Sequence, residues 1–156
     1  MAHGGTYTAH PVPLAAAEKT LEILDETDTL ERIAAYGTRL RQGKSAILKA
    51  RGIAHSFVGH PSMSGLYFAH DPPRTYRDWK SSDYTFYDAV AKVLHDECIL
   101  CEPDSREPWF MSAAHDDGCL KDTLAAFEKA VDRTLQTQPG RRQGAEWGLM
   151  RGEGAA

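Results

Sequence analysis

Glu107–Leu135 reads EPWFMSAAHDDGCLKDTLAAFEKAVDRTL, and its hydrophobic period changes half-way along. Trp109 to Ser112 is a short run of β-formers behind a proline, which predicts a strand. Asp116 or Asp117 then starts a helix on which Leu120, Leu124, Phe127, Val131 and Leu135 form an apolar stripe at helical spacing. A strand feeding a long one-sided helix calls for a layer to cover both, and the rest of the chain supplies it. Upstream, Ile99 to Glu102 predicts another strand and Pro103 to Pro108 a loop. Asp83 caps a helix to about Asp96 with Phe86, Val90, Val93 and Leu94 inward. Ile53–Val58 and Gly65–Ala69 predict an antiparallel pair around the turn cluster Gly59-His60-Pro61-Ser62, and the polar stretch Asp71–Ser82 a surface loop.

Two helices come first. Leu14, Ala17, Leu21 and Leu24 mark one over Val12–Thr27, with Pro13 in its tolerant first turn. Asp28-Thr29-Leu30-Glu31 has near capping-box spacing and opens a second, which Gly52 stops. So short a connection predicts a packed hairpin. The expected order is α-α-β-β-α-β-β-α: an α+β fold in which helices cover a small antiparallel sheet. From residue 138 the sequence QPGRRQGAEWGLMRGEGAA is rich in glycine and arginine and lacks a period, which predicts a disordered tail.

With 156 residues, 42% of them hydrophobic, the chain suits one domain with its own core. Its longest apolar runs fall short of the roughly 18 residues that span a membrane. No leader pattern is visible, so a cytoplasmic location is expected. A net charge of -4 gives no basic footprint for nucleic acid. Three cysteines argue against a disulfide framework and fit a reducing compartment.

Candidate chemistry is sparse. Cys98-x-x-Cys101 followed by His115-x-x-x-Cys119 has zinc-like spacing. The first two cysteines straddle a helix end and a strand start, where side chains diverge, so no metal site is expected. Glu102, Asp104, Arg106 and Glu107 gather on one loop, whose carboxylates are read as solvated unless Glu107 acts in acid–base work. His10, His60 and His115 sit beside turns or helix starts with no nucleophile motif near them. RTYRDWK alternates cations with aromatics but lacks the basic surroundings of a nucleotide platform. The opening Gly4-Gly5-Thr6 suits a loop that approaches something closely and offers it a hydroxyl.

Three stretches in order carry a family resemblance: GGTYTAHPVPLAAAEKTLEIL, then GHPSMSGLYFA with SSDYTFYDAVAKVLHDECILCEP, then EPWFMSAAHDDGCLKDTLAAFEKAVDRTL. Together they resemble the C-terminal part of class III, fold-type-I pyridoxal-phosphate aminotransferases, nearest to glutamate-1-semialdehyde 2,1-aminomutases. The resemblance implies a turn over 1–11 that faces a cofactor phosphate, the family's small domain over 12–137, and a tail over 138–156. Thr6, with Gly5 beside it, matches the position whose hydroxyl reaches the phosphate of pyridoxal phosphate in the other subunit. Glu107 matches a glutamate near the substrate amino group and is the best local candidate for substrate contact. His10 stands where the family has asparagine, and Cys98 where it commonly has glycine.

The Schiff-base lysine of that family matches nothing here: Lys19, Lys44, Lys49, Lys80, Lys92, Lys121 and Lys129 lack its glycine-rich surroundings. The resemblance therefore implies a fragment that exchanges no amino group and binds no pyridoxal phosphate alone. Its partner would be a further copy or a separate large-domain polypeptide. The alternative is a non-catalytic dimerisation or binding module that keeps the small-domain fold.

Overall fold

A computed structural model describes residues 4–137, and the expected tail from 138 to 156 lies outside them. In chain order the elements are α1 (Pro11–Glu26), α2 (Thr29–Ala50), β1 (Ser56–Val58), β2 (Met63–Tyr67), α3 (Tyr76–Lys80), α4 (Tyr84–Asp96), β3 (Trp109–Phe110) and α5 (Asp117–Thr137). Helices surround a three-stranded antiparallel sheet ordered β1-β2-β3, as the hydrophobic patterning leads one to expect. Ser56 faces Tyr67 and Val58 faces Gly65 across the first ladder, while Ser64 faces Trp109 across the second. Among the described residues no helix is long and apolar enough to cross a membrane.

The core forms where α2, α4 and α5 converge on β2. Leu40 and Leu48 of α2, Leu66 of β2, Phe86, Val90 and Leu94 of α4, and Phe127 and Val131 of α5 are all buried. The stripe read on α5 is turned by about one position. Ala130 and Thr134 lie fully inside, while Leu124 and Leu135 pack at the margin. Small side chains at the centre let α4 and α5 approach closely. Arg51, just past α2, closes the α2–α5 contact from outside. It donates from Nε to Asp132 at 2.6 Å and from Nη2 to Glu128 at 2.9 Å.

Two helices end in the same device with different residues. After α2, Gly52 at φ +66° donates to the Lys49 carbonyl, and Ile53 N–H reaches back to Leu48. After α4, Cys98 at φ +62° donates to His95, and Ile99 N–H reaches Leu94. Both are Schellman stops, and the left-handed residue is strained when it carries a Cβ. Cys98→Gly should therefore raise unfolding stability by about 1 kcal/mol in urea titration, with no change of fold.

The structure departs from the sequence reading in four places. Ile99–Glu102 is irregular backbone: the left-handed Cys98 turns the chain, Leu100 is 96% exposed, and no neighbouring strand pairs with the segment. The polar loop holds a helical turn, α3, set by a capping box in which Thr75 Oγ1 accepts from Asp78 N and Asp78 accepts from Thr75 N. The box expected at Asp28 is absent: that side chain caps nothing and instead stands 3.9 Å from Arg32. Finally, α1 packs into no hairpin, because none of its residues is buried; Val12 and Leu21 stay 70% and 66% exposed.

Candidate functional site

The Gly4–His10 segment is exposed throughout and folds on itself. Thr8 N–H donates to the Gly5 carbonyl at 3.0 Å, and His10 N–H to Tyr7 at 3.1 Å, through Ala9 at φ +60°. His10 precedes α1 without capping it by its side chain. The Thr6 hydroxyl and the N–H groups of Gly5, Thr6 and Tyr7 donate to no acceptor among the described residues. Such a set beside a helix start suits phosphate oxygens. Among the described residues no cationic side chain is bonded into it.

Glu107 lies on a loop braced from two sides. On one side Trp109 donates its indole N–H to Tyr87 Oη at 2.9 Å, and Tyr87 donates onward to the Glu102 carbonyl at 2.9 Å. On the other, Trp79 of α3 donates to the buried Ser105 hydroxyl at 2.8 Å. Between them Asp104 accepts from Arg106 Nε at 2.9 Å and, through its carbonyl, from Glu107 N–H at 3.0 Å. The Arg106 guanidinium also stacks 4.9 Å above the Trp79 ring. Arg106 is thus occupied, and Glu107 is left exposed without an ion pair among the described residues. Tyr67 at the end of β2 completes the surroundings. Its phenol is pushed up by burial first and then by the Asp104 and Glu107 carboxylates, so it stays a neutral donor.

No hydrogen bond or ion pair among the described residues joins this loop to the Gly4–His10 turn. The two expected contact points are separate features of one chain. Sequence reading singled out Glu107 and Thr6 as candidates but missed the braces Trp79, Tyr87 and Ser105. The T-x-x-D spacing that opens α3 was the signal that could have placed Trp79.

The remaining candidates are structural. Cys98 is exposed while Cys101 is buried, its thiol pushed up to about 11 by burial. His115 stacks on Tyr36 at 5.3 Å and accepts from Ser112 N–H. Among the described residues no group of three or more such side chains could hold a metal ion. His60 bonds Ser62 within the β1–β2 turn. Lys80 lies 5.7–5.8 Å over the rings of Tyr76, Trp79 and Tyr84, so the aromatic cluster of α3 already has its cation. A groove of about 530 Å³ between α2 and the start of α5 has Tyr36, Arg39 and His115 in its walls and includes neither Glu107 nor Thr6.

Lys44 is the unexpected residue. It sits between Leu40 and Leu48 on the inner face of α2, only 2% exposed, with Nζ 3.1 Å from the centre of the Trp109 ring. Burial brings its pKa down to about 7, and Arg41 adds to the drop.

No family model matches the chain. It is 32% identical over 125 residues to the glutamate-1-semialdehyde 2,1-aminomutase of Bacillus subtilis, covering 80% of this chain and 29% of that protein. The aminomutase of Nitrosospira multiformis is 30% identical over 83% of this chain and 30% of its own length. Among solved structures, the PLP internal aldimine form of the FumI protein of Sphingopyxis sp. MTA144 superposes with a TM-score of 0.74 at 28% identity, covering 92% of this chain and 31% of that one. An omega-transaminase from Sphaerobacter thermophilus shares the fold, with a TM-score of 0.70 at 20% identity over 86% of this chain. The chain is thus a domain of the fold-type-I pyridoxal-phosphate aminotransferases, spanning about three-tenths of the length of the relatives it matches. Within that class it corresponds to the C-terminal domain of the glutamate-1-semialdehyde 2,1-aminomutase-like branch.

Proposed function

We propose that this chain is the C-terminal part of a pyridoxal-phosphate-dependent aminotransferase or aminomutase, and that alone it transfers no amino group. The observation that carries the reading is the coverage: four-fifths of this chain against three-tenths of the aminomutases. When bound, the cofactor supplies the electron sink for moving an amino group. This chain's residues serve its periphery. Thr6, with the neighbouring N–H groups, holds a phosphate oxygen of a cofactor bound elsewhere, in a second copy or a separate large-domain polypeptide. Glu107 accepts hydrogen bonds from the substrate ammonium, and Tyr67, a neutral phenol, donates beside it. All seven lysines lie on helices, and Lys44, whose amine burial keeps most neutral, is closed in the core. Three free cysteines fit a reducing, cytoplasmic setting.

Pyridoxal phosphate added to the purified chain should give no imine absorbance and no borohydride-fixed adduct. Trapping at one specific lysine would overturn the reading. Adding a polypeptide that holds the family's large domain should give turnover, and Thr6→Val should then weaken cofactor retention about tenfold by removing one phosphate hydrogen bond.

A second reading is favoured by α1, whose Val12, Leu14, Leu21 and Ile23 are all exposed. A helix apolar over so much of its surface is ordinarily covered. This makes the chain a dimerisation or binding module, and a strictly monomeric sedimentation profile over the micromolar range would count against it.

A further inference from the structure

Two surfaces of the chain stand open and complement each other. The first is α1. At helical spacing Leu14, Ala17, Leu21 and Leu24 share one side, and Glu18, Glu22 and Asp25 run along its edge. Leu14 and Leu21 are exposed, and the helix buries no residue. Glu22 pairs with Lys19 at 2.7 Å, while Glu18 and Asp25 form no ion pair among the described residues.

The second is the groove of about 530 Å³ between α2 and the start of α5. Ile33, Ala35 and Tyr36 line it from α2, with Arg32 and Arg39 beside them. Both guanidiniums are exposed: Arg32 stands 3.9 Å from Asp28, and Arg39 lies 2.7 Å from Asp117. Exposed pairs of this kind are worth little in water and exchange readily. Asp116 and Asp117 line the groove from α5, so its positive side is the α2 side.

The spacing of the charges agrees. Glu18 and Asp25 lie seven positions apart, as do Arg32 and Arg39, so each pair spans about 10 Å along its helix. Leu14 and Leu21 repeat the same interval. A helix laid along α2 with these leucines on Ile33 and Tyr36 can bring both carboxylates to both guanidiniums at once. Its acidic edge then turns away from Asp116 and Asp117.

The chain's own α1 does not fill the groove. Thr27 is extended at φ -130° and ψ 159°; its hydroxyl donates to the Ile23 carbonyl at 2.6 Å and bonds the Thr29 hydroxyl at 2.7 Å. A short connection held open in this way favours exchange of the helix between copies. Each copy offers one α1 and one groove, so the exchange closes as a two-fold dimer.

We propose that α1 is the arm of a reciprocally exchanged dimer: the Leu14–Leu21 side of one copy lies in the Ile33–Tyr36 groove of a second, with Glu18 and Asp25 on the partner's Arg32 and Arg39. This deepens the reading of the chain as a dimerisation module and rests on it. Two such helices make a small interface, so dissociation falls on the order of tens of micromolar. Below that concentration α1 is bare, as in the single chain.

Sedimentation equilibrium of the full chain from about 1 to about 300 µM tests it. The wild type should show a monomer–dimer equilibrium. Arg32→Glu with Arg39→Glu should weaken it at least about tenfold, and so should Glu18→Arg with Asp25→Arg. An equimolar mixture of the two double variants should associate as tightly as the wild type, because each arm then meets a groove of opposite charge. A wild type that stays monomeric throughout overturns both the proposal and the module reading. A dimer that survives Arg32→Glu with Arg39→Glu, as pairing of α1 with α1 gives, overturns the proposal and leaves the module reading standing. A mixture that regains no association does the same. Should a variant unfold, isotope-filtered NOEs in a dimeric mixture of labelled and unlabelled wild-type chain decide. Contacts from Leu14 or Leu21 to Ile33 or Tyr36 across the two copies support the proposal, and their absence overturns it.

Discussion

Replacing Lys44 with methionine should make the protein more stable, by about 3 kcal/mol at pH 7 in denaturant titration. Removing a charge usually does little at a surface, but this one has no exposed position to occupy. In the unfolded chain the lysine keeps its ordinary pKa near 10.5, while in the fold it falls to about 7. Between those limits the unfolded state binds the extra proton, so stability rises with pH by up to about 1.4 kcal/mol per unit. It is fully present only above about 10.5, is lost as the pH falls toward 7, and is flat below. The full span is about 5 kcal/mol, and the attraction of the Trp109 ring for a desolvated cation returns about 2 of it. Methionine has a similar length and no charge to desolvate. Unfolding curves at pH 7 and 9.5 should diverge for the wild type and coincide for Lys44→Met. Equal slopes in the two proteins would mean that the ammonium finds water in the folded state.

Gly37→Ala should lose about 3 kcal/mol, although alanine is worth about 1 kcal/mol more than glycine in a helix interior. Gly37 is the point where α2 crosses the β1–β2 turn. A Cβ there would stand 2.0 Å from the Pro61 carbonyl oxygen and 2.6 Å from its carbon. Neither atom belongs to a flexible side chain, so the helix and the turn must separate. Separation also disturbs Arg41, one turn on, whose guanidinium binds the carbonyls of Val58, Gly59 and His60 and the Ser64 hydroxyl. Gly43→Ala makes the informative comparison. Its Cβ would meet only the ends of Leu124, at 2.6 Å, and that side chain can rotate away. Thermal melting of the pair should show a large drop for Gly37→Ala and a small one for Gly43→Ala.

How much of this was legible in the sequence differs from element to element. The α5 stripe and the α2 and α4 patterns were strong because many apolar residues recur on one face, so tertiary packing and local preference agree. The Ile99–Glu102 run was misread because β-propensity describes fit to a neighbouring strand, and the Cys98 turn leaves the run without one. Lys44 was hidden in plain view: Leu40, Lys44 and Leu48 share a face, but a lysine in such a stripe reads as its polar margin. Glu107 and Thr6 stood out as a loop carboxylate and a hydroxyl beside two glycines, and only the family resemblance gave each an expected role. What braces the Glu107 loop, Trp79 with Ser105 and Tyr87 with Glu102, spans 26 and 15 positions of sequence, and pattern reading along the chain sees no such pairs.

The bareness of α1 bears on how the molecule comes apart. A 16-residue helix that buries nothing lends no cooperativity to the rest and has little stability alone. Calorimetry should therefore register one melting unit from Thr29 onward, with α1 thermally silent. The extended, exposed Thr27 between the two helices is the natural place for a protease to cut. The nicked product should keep the melting temperature of the intact chain while losing about a sixth of its mass, a separable handle attached to a body that does not feel its loss.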